Sequence, residues 1–326
     1  MKTFDAVLRM VTAGVLMGLG ACVFAQQPYP NRLIRVITPY PPGGSADPMA
    51  RLVAQKLSDK WGQPVIVENR PGGNSIIGTE AAAKAAPDGY TILVVGNTHV
   101  AYPNLLPNLP YDAIKDFDAV ASIARMRYVL VLSPSVPANN LQEFIALAKA
   151  KPGQLNFASS GVGGGLHLGG ELFNIMVGTK MQHVPYKGSG PLMTDLISGQ
   201  VQLSFQTSIA VVNHIKSGRL KAMAITGSTR ASALPQVPTF AEAGLPGFDM
   251  SGWYGILTPA GAPKEVIDKM SKEMAVILAM PDVQDYLTKQ GFDPFISTPE
   301  QFAAQMKADF AKYANIIKTA HIKLEN

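Results

Sequence analysis

The chain has a single cysteine, Cys22, among its 326 residues. An internal disulfide is therefore excluded, and so is a metal site built from several thiolates. Charged residues are also few, at 16% of the chain, and the basic ones never alternate with aromatic residues. A stacking platform for nucleic acid is therefore not predicted. The formal net charge of +5 favours anionic ligands.

The sequence also lacks the local motifs of common enzyme classes. It contains no Gly-x-Ser-x-Gly elbow, no His-Glu-x-x-His pair and no phosphate-binding Gly-x-x-x-x-Gly-Lys loop. The five histidines are too far apart for a local metal motif: His99, His167, His183, His214 and His321. No catalytic residue, cofactor or metal is predicted. A carboxylate-processing enzyme assembled from residues distant in sequence is the remote alternative.

Only the first residues form a long uncharged apolar run, and no later stretch is long enough to cross a bilayer. Lys2 and Arg9 precede the run at 11–23, and small residues stand at the cleavage positions ending in Ala25. This pattern predicts a signal peptide over 1–25 and export to the periplasm. A lipobox-like stretch at 19–22 offers a second possibility, a lipid anchor on Cys22.

Two glycine-rich turns carry most of the functional information. They span 39–47 and 159–167, and each follows an apolar strand and opens a helix. The start of a helix presents unpaired N–H groups and the positive end of the helix dipole, which suits an anion. Glycine lets this backbone approach a ligand closely. Two such turns, far apart in sequence, predict two lobes that each supply half of an anion-binding cleft.

The order of apolar strands and amphipathic helices predicts an α/β fold with mainly parallel sheets. We expect lobe 1 to comprise 26–127 with 251–326, and lobe 2 to comprise 128–250. The chain would cross between them near 125–129 and 250–254. Beyond Trp253 the pattern is mostly helical.

Ordered motifs along the mature chain resemble one known family. They are Tyr-Pro-Asn-Arg at 29–32, Pro-Pro-Gly-Gly at 41–44, Gly-Gln-Pro-Val at 62–65, Glu-Asn-Arg-Pro-Gly at 68–72, Pro-Asp-Gly-Tyr-Thr at 87–91, Leu-Pro-Tyr-Asp at 109–112, Lys-Pro-Gly at 151–153, His-Val-Pro-Tyr-Lys-Gly at 183–188 and Val-Pro-Thr at 237–239. The chain is similar to the solute-binding components of tripartite tricarboxylate transporters, the Bordetella uptake gene family.

The resemblance implies a type II periplasmic-binding fold that closes on a small organic anion. In that family the ligand carboxylate is held by backbone groups and bridging waters at the two glycine turns, without an arginine. By motif position, the first turn would contribute Gly44, Ser45, Ala46 and Asp47, and the second Ser159, Gly163, Gly164 and His167. Members usually carry serine or threonine in place of Gly164, so a hydroxyl contact is lost here and space is gained.

Further candidates come from the pattern itself. Asn97, Thr98 and His99 follow a strand end, where open α/β sheets place ligands. The remaining candidates are Tyr40, Phe205 and Trp253 as flat cleft walls, together with Asp195. Several have a structural alternative: Asp47 as a helix cap, His167 as a buried structural histidine, and Phe205 and Trp253 as core aromatics.

The expected ligand is a small organic carboxylate, with an aromatic or bulky mono- or dicarboxylate favoured over citrate. A protonated His99 would meet a second carboxylate and strengthen binding as the pH falls. The expected partners are the membrane subunits of a transporter, with a membrane sensor as the alternative. The protein is expected to be a monomer.

Overall fold

The computed structural model describes residues 29–43, 46–106 and 108–324. The predicted signal peptide, the alternative anchor at Cys22, and Gly44 and Ser45 lie outside these residues. None of the helices in the described part is long and apolar enough to span a membrane.

Strands and helices alternate through most of the chain. The strands are β1 (Ile34–Thr38), β2 (Val65–Asn69), β3 (Thr91–Gly96), β4 (Phe117–Met126), β5 (Tyr128–Leu132), β6 (Asn156–Ser159), β7 (Gln182–Pro185), β8 (Leu203–Thr207), β9 (Lys221–Ile225), β10 (Gly252–Pro259) and β11 (Phe292–Pro294). The helices are α1 (Asp47–Trp61), α2 (Ile76–Ala83), α3 (Thr98–Ala101), α4 (Leu141–Ala150), α5 (Gly165–Val177), α6 (Ser189–Ser198), α7 (Ser208–Lys216), α8 (Lys264–Leu278), α9 (Pro281–Lys289) and α10 (Pro299–Thr319), with a 3-10 turn at Tyr102–Asn104.

The strands form two sheets with the same plan. The first has the order β11-β4-β10-β3-β1-β2 and the second β7-β6-β8-β5-β9. Each contains three parallel strands, β2-β1-β3 and β7-β6-β8, joined by helical crossovers. The strands that enter or leave a sheet at the crossings, β4, β5 and β10, run antiparallel to their neighbours. This arrangement confirms the predicted α/β class with two lobes.

The chain crosses between the sheets twice. β4 of the first sheet ends at Met126 and β5 of the second begins at Tyr128, so Arg127 alone separates them. The return lies between β9 and β10. We name the first sheet with its helices lobe 1 and the second with its helices lobe 2. The exact lobe limits stay a prediction.

Strand β10 is the main difference from the sequence-based expectation. The segment from Trp253 onward is expected to be mostly helical, yet Gly252–Pro259 forms the centre of the lobe 1 sheet. All eight residues are buried. A strand buried on both faces has no alternation of apolar and polar residues, which is the pattern that normally identifies a strand.

Phe205 belongs to the core of lobe 2 and not to a cleft wall. Its ring is fully buried and lies within a cluster of aromatic side chains: Phe173, Phe205, Phe240 and Phe248. A Cβ atom on Gly169 of α5 would lie 3.3 Å from this ring, so the helix rests directly on it. The predicted wall position is therefore corrected, because the ring fills the space between sheet and helix.

Trp253 is likewise placed in the core, of lobe 1. It is fully buried, its indole Nε1 donates to Asp309 Oδ2 at 2.9 Å, and its ring meets Phe302 edge-on. The expectation of a cleft wall at this residue is also corrected. The adjacent residue in the strand, Tyr254, takes the position beside the cleft.

Candidate functional site

A cleft of about 450 Å³ lies between the two lobes. Its lining is neutral: among the residues that the structure describes, none that lines it is acidic, basic or histidine. The lining residues are Tyr40, Pro41, Ala46, Gly96, Asn97, Thr98, Met126, Tyr128, Ser160, Gly165, Leu166, Ser189, Gln206, Thr207, Ala210 and Tyr254. Of the predicted site residues, Tyr40, Ala46, Asn97 and Thr98 are brought together here.

Helix N-termini from both lobes meet this cleft. Ala46 is the N-cap of α1 in lobe 1, Thr207 is the N-cap of α7, and Gly165 and Ser189 are the first residues of α5 and α6 in lobe 2. All four helices have nine residues or more. Each N-terminus carries a partial positive charge and unpaired N–H groups, so the neutral cleft has a positive potential.

Asp47 holds the first glycine turn together. Its Oδ2 accepts hydrogen bonds from the Gly43 N–H (3.1 Å) and Arg51 Nε (2.9 Å), and its Oδ1 accepts one from Asn69 Nδ2 (2.9 Å). Burial would raise the pKa of Asp47, but these three hydrogen bonds outweigh it and the pKa is lowered. The negative charge of Asp47 is thus compensated by hydrogen-bond donors within the protein. Asp47 is the first residue of α1, one position after the N-cap, and does not line the cleft.

Tyr40 and Thr98 form a hydrogen-bonded pair on the lobe 1 side of the cleft. The Tyr40 hydroxyl lies 2.8 Å from Thr98 Oγ1 and accepts a hydrogen bond from the Gly96 N–H at 3.1 Å. The neighbouring Asn97 donates from Nδ2 to the hydroxyl of Tyr313 at 3.0 Å. These contacts fix a neutral polar wall where β3 ends, as the position after a strand end predicts.

The second glycine turn is held by two histidines. His167 Nδ1 accepts from the Gly163 N–H at 3.0 Å, so its proton is on Nε2. Ser159 Oγ donates to the Gly161 carbonyl at 2.8 Å, which leaves His183 Nε2 as the donor in the 2.6 Å contact between them. The two imidazoles stack with centroids 3.6 Å apart.

This pair supports the backbone without adding charge. Burial, followed by the neighbouring His167, lowers the pKa of His183 to about 3. Neither Ser159 nor His167 lines the cleft. Both lie behind the glycine turn, whose neighbouring residues Ser160 and Gly165 line the cleft. This placement agrees with the alternative that His167 is a buried structural histidine.

His99 is placed beneath the cleft and not in it. It is buried, its Nε2 donates to the Ala113 carbonyl at 2.9 Å, and its ring stacks on Tyr111 and meets Phe117 edge-on. Burial lowers the pKa of His99 to about 4. The expectation that a protonated His99 meets a second carboxylate is therefore corrected, because the ring faces the lobe 1 core in its neutral form.

Three remaining candidates have other surroundings. Asp195 accepts a hydrogen bond from the Tyr186 hydroxyl at 2.7 Å, away from the cleft lining. Gly163 faces lobe 1, where a Cβ atom would lie 2.4 Å from Leu105. Gly164 is the N-cap of α5, and a Cβ atom there would meet only the Gly161 carbonyl, at 3.9 Å. The position therefore has room for a larger residue.

Several lining residues are absent from the sequence-based set. Met126 and Tyr128 flank the first crossing, Tyr254 lies in the unanticipated β10, and Gln206 ends β8. The sequence contained an indication for Met126 and Tyr128, because a strand that crosses between the lobes must pass the base of the cleft. For Gln206 and Tyr254, the side of the sheet that each residue faces decides its place, and burial on both faces hides that information.

Two of the contacts between the lobes involve glycines. Leu105 of lobe 1 packs against the second glycine turn at Gly163, and Ile209 at the start of α7 packs against Gly291 just before β11. A side chain at either glycine would collide with the opposite lobe. These contacts bring the two sets of helix N-termini to the same cleft.

Comparison with known proteins identifies the family. A model described as the tripartite tricarboxylate transporter family receptor matches residues 49–322. The chain belongs to this family. Protein BugT of Bordetella pertussis is 38% identical over 310 residues, which cover 94% of this chain and 95% of BugT.

Solved structures of similar proteins share the fold over nearly their whole length. A periplasmic transporter is 42% identical (TM-score 0.74, 91% of this chain and 100% of that one). A protein of Rhodopseudomonas palustris solved with adipate is 31% identical (TM-score 0.75, 90% and 99%), and MatC of the same organism, solved with malate, is 30% identical (TM-score 0.71, 89% and 100%). The chain is thus a periplasmic solute-binding protein of the tripartite tricarboxylate transporter family.

Proposed function

We propose that this protein captures a small organic carboxylate between its lobes and delivers it unchanged to the membrane subunits of a tripartite tricarboxylate-type transporter. One observation carries the proposal: four helix N-termini, from both lobes, converge on a cleft whose described lining has no charged side chain. A carboxylate is the group that this arrangement accepts best. Two relatives were solved with carboxylates, adipate and malate.

The energetics support binding without an arginine. A helix N-terminus stabilises an anion by about 0.3–1 kcal/mol at an exposed site, and by up to about 2 kcal/mol when partly buried. Several N-termini acting together, with hydrogen bonds to unpaired N–H groups, bring binding into the micromolar range, which corresponds to about 8 kcal/mol. Neutral donors also leave no charge unpaired when the cleft is empty.

The walls favour a bulky or aromatic acid over citrate. Phe205 and Trp253 do not supply the walls, but Tyr40, Tyr128 and Tyr254 do, together with Met126 and Leu166. Flat rings and thioethers offer apolar contact area. A tricarboxylate would bring three negative charges to a cleft without a cation among its described residues, and desolvating them is costly.

We further propose that the lobes hinge at the two crossings. Arg127, at the first crossing, donates from its guanidinium to Asp293 of lobe 1 and to the Thr229 carbonyl of lobe 2. Opening separates Leu105 from Gly163 and Ile209 from Gly291. Small-angle scattering should then show a smaller radius of gyration with a bound carboxylate than without one. An unchanged radius at saturation contradicts a closing cleft.

Titration calorimetry against adipate, malate, succinate, citrate, benzoate, nicotinate and terephthalate tests the function. We expect at least one acid to bind with a micromolar or lower Kd, and its NMR spectrum to stay unchanged during incubation with the protein. Absence of binding to all seven, or chemical conversion of any, contradicts the proposal. Tight binding of citrate without binding of the aromatic acids would contradict the preference for a bulky or aromatic acid over citrate.

A matched pair of variants tests whether the carboxylate binds in this cleft. Ala210→Asp introduces a carboxylate into the cleft, and Asn213→Asp introduces the same charge on an exposed part of the same helix. We expect Ala210→Asp to weaken binding at least 10-fold, because like charges repel in a site shielded from water. Asn213→Asp should stay within about 2-fold of wild type.

A further inference from the structure

Tyr128 stands at the point where the chain enters lobe 2. It is the first residue of β5, and its backbone is fixed by Thr226: the Tyr128 N–H donates to Thr226 Oγ1 and the Thr226 N–H donates to the Tyr128 carbonyl, both at 2.9 Å. The residue is 5% exposed, and the accessible part lines the cleft. The backbone of Tyr128 is therefore fixed at the base of the cleft, and burial restricts the movement of its ring.

The hydroxyl of Tyr128 has no hydrogen-bond partner among the described residues. Two neighbouring tyrosine hydroxyls differ: that of Tyr40 is paired with Thr98, and that of Tyr313 with Asn97. Burial raises the pKa of Tyr128 to about 12, with no hydrogen bond contributing, so the phenol keeps its proton. Tyr128 lines the cleft, so water can reach its hydroxyl there, and a ligand acceptor can take the place of that water.

The position of two glycines shows where this hydroxyl points. A Cβ atom on Gly165 would lie 2.6 Å from Tyr128 Oη, and a Cβ atom on Gly252 would lie 3.1 Å from it. The oxygen thus lies over the first residue of α5, beside the unpaired N–H groups of that helix. Gly165 is required here for space, because any larger residue would displace the phenol.

We propose that the Tyr128 hydroxyl donates a hydrogen bond to a ligand carboxylate bound at the N-terminus of α5, and so acts as a specificity-determining residue. The inference rests on the proposed function of carboxylate capture. A phenol donor and the α5 N–H groups converge on one anionic oxygen, and a hydrogen bond to a charged acceptor is stronger than one to a neutral group. An ester or amide at the same place would gain less.

Replacement of one hydroxyl tests the inference, with a matched control in the same lobe. Tyr128→Phe removes the unpaired hydroxyl, whereas Tyr186→Phe removes one that is paired with Asp195 outside the cleft lining. The probes are adipate, malate, benzoate and terephthalate. For each probe that binds wild type, we expect Tyr128→Phe to raise Kd by about 10- to 100-fold. Tyr186→Phe should change Kd by less than about 3-fold, and thermal melting verifies that both variants are folded.

A double-mutant cycle supplies a second, independent readout. Gly165→Ala places a methyl group against the phenol and should weaken binding of the same probe about 10-fold in wild type. In the Tyr128→Phe background it should weaken binding by less, because the hydroxyl contact is already lost. Additive effects would overturn the proposed link between the two residues.

The outcomes separate the two proposals. If a probe binds wild type and Tyr128→Phe equally well, the role of Tyr128 is overturned and carboxylate capture stands. If no probe binds wild type, carboxylate capture fails, and the role of Tyr128 fails with it.

Discussion

The two halves of the cleft hold their glycine turns by opposite electrostatic means. In lobe 1 an ionised carboxylate, Asp47, collects three donors, one of them the guanidinium of Arg51. In lobe 2 two neutral imidazoles hold the turn: His167 accepts a hydrogen bond from it, and His183 contacts Ser159. In both, the supporting groups lie behind the turn and present no charge to the cleft. The comparison shows that a positive helix N-terminus is preserved by neutralising or avoiding every charge next to it.

The largest effect is expected from breaking the lobe 1 support. Asp47→Asn leaves one acceptor oxygen where two now receive three donors, so the turn at Gly43 loses its anchor. We expect a Kd for the tightest-binding acid at least 10-fold higher and a free energy of unfolding lower by about 2 kcal/mol. Calorimetry and chemical denaturation measure both.

Asp59→Asn is the control, since Asp59 lies on an exposed part of the same helix and accepts hydrogen bonds only from Gln55 in the described contacts. It should leave both quantities nearly unchanged. Equal binding by Asp47→Asn and wild type would contradict the role of Asp47 in supporting the lobe 1 turn.

The next effect concerns the lobe 2 support. His167→Ala removes the acceptor for the Gly163 N–H and the stacking partner of His183. We expect binding to weaken about 5- to 10-fold and the free energy of unfolding to fall by about 1–3 kcal/mol. Exposed His321→Ala serves as the control. Wild-type affinity in His167→Ala would contradict the support role.

Acid should affect the buried histidines and Asp47 in different pH ranges. His183 and His99 have folded pKa values of about 3 and about 4, below the ordinary value of 6.5. Between each folded pKa and 6.5, these histidines are protonated in the unfolded chain but neutral in the folded protein. The free energy of unfolding therefore falls as the pH drops below about 6.5. For fully buried His99 the full loss is about 3 kcal/mol. Asp47, with its lowered pKa, keeps its contribution until the pH falls below 3.8.

Chemical denaturation at pH 7.5 and 5 measures this dependence. His99→Gln and His183→Gln should each reduce the difference in stability between the two pH values. A wild-type stability that is the same at pH 7.5 and 5 would contradict neutral, buried histidines.

The sequence predicted the parts of the fold that rest on local patterns. The glycine turns, the helix beginning at Asp47 and the strand ends at Thr38 and Gly96 follow from residue type and spacing alone. The sequence did not predict β10, because a strand buried on both faces shows no alternation. It also misplaced Phe205 and Trp253, because the side of a sheet that an aromatic residue faces depends on packing between distant segments. Tyr128 was missed although it lies at the predicted crossing, where a strand must pass the base of the cleft.

The smallest effect is expected at Gly164. Its backbone (φ −75°, ψ 167°) suits any residue, and a Cβ atom there meets no close neighbour. Gly164→Ser adds an N-cap hydroxyl to α5 and should raise the free energy of unfolding by a few tenths of a kcal/mol. Gly165→Ser, one position later, should destabilise instead, because its Cβ collides with Tyr128. Thermal melting compares the two, and a stability order opposite to this one would contradict the described turn.

The central claim is that both lobes hold one carboxylate through their helix N-termini. Backbone amide chemical shifts, followed by two-dimensional NMR during titration with the tightest-binding acid, test it most directly. We predict that the amides of Ala46 and Asp47 in lobe 1, and of Gly165 and Leu166 in lobe 2, shift with the same dependence on concentration. Shifts confined to one lobe, or absent from both helix starts at saturation, would contradict the claim.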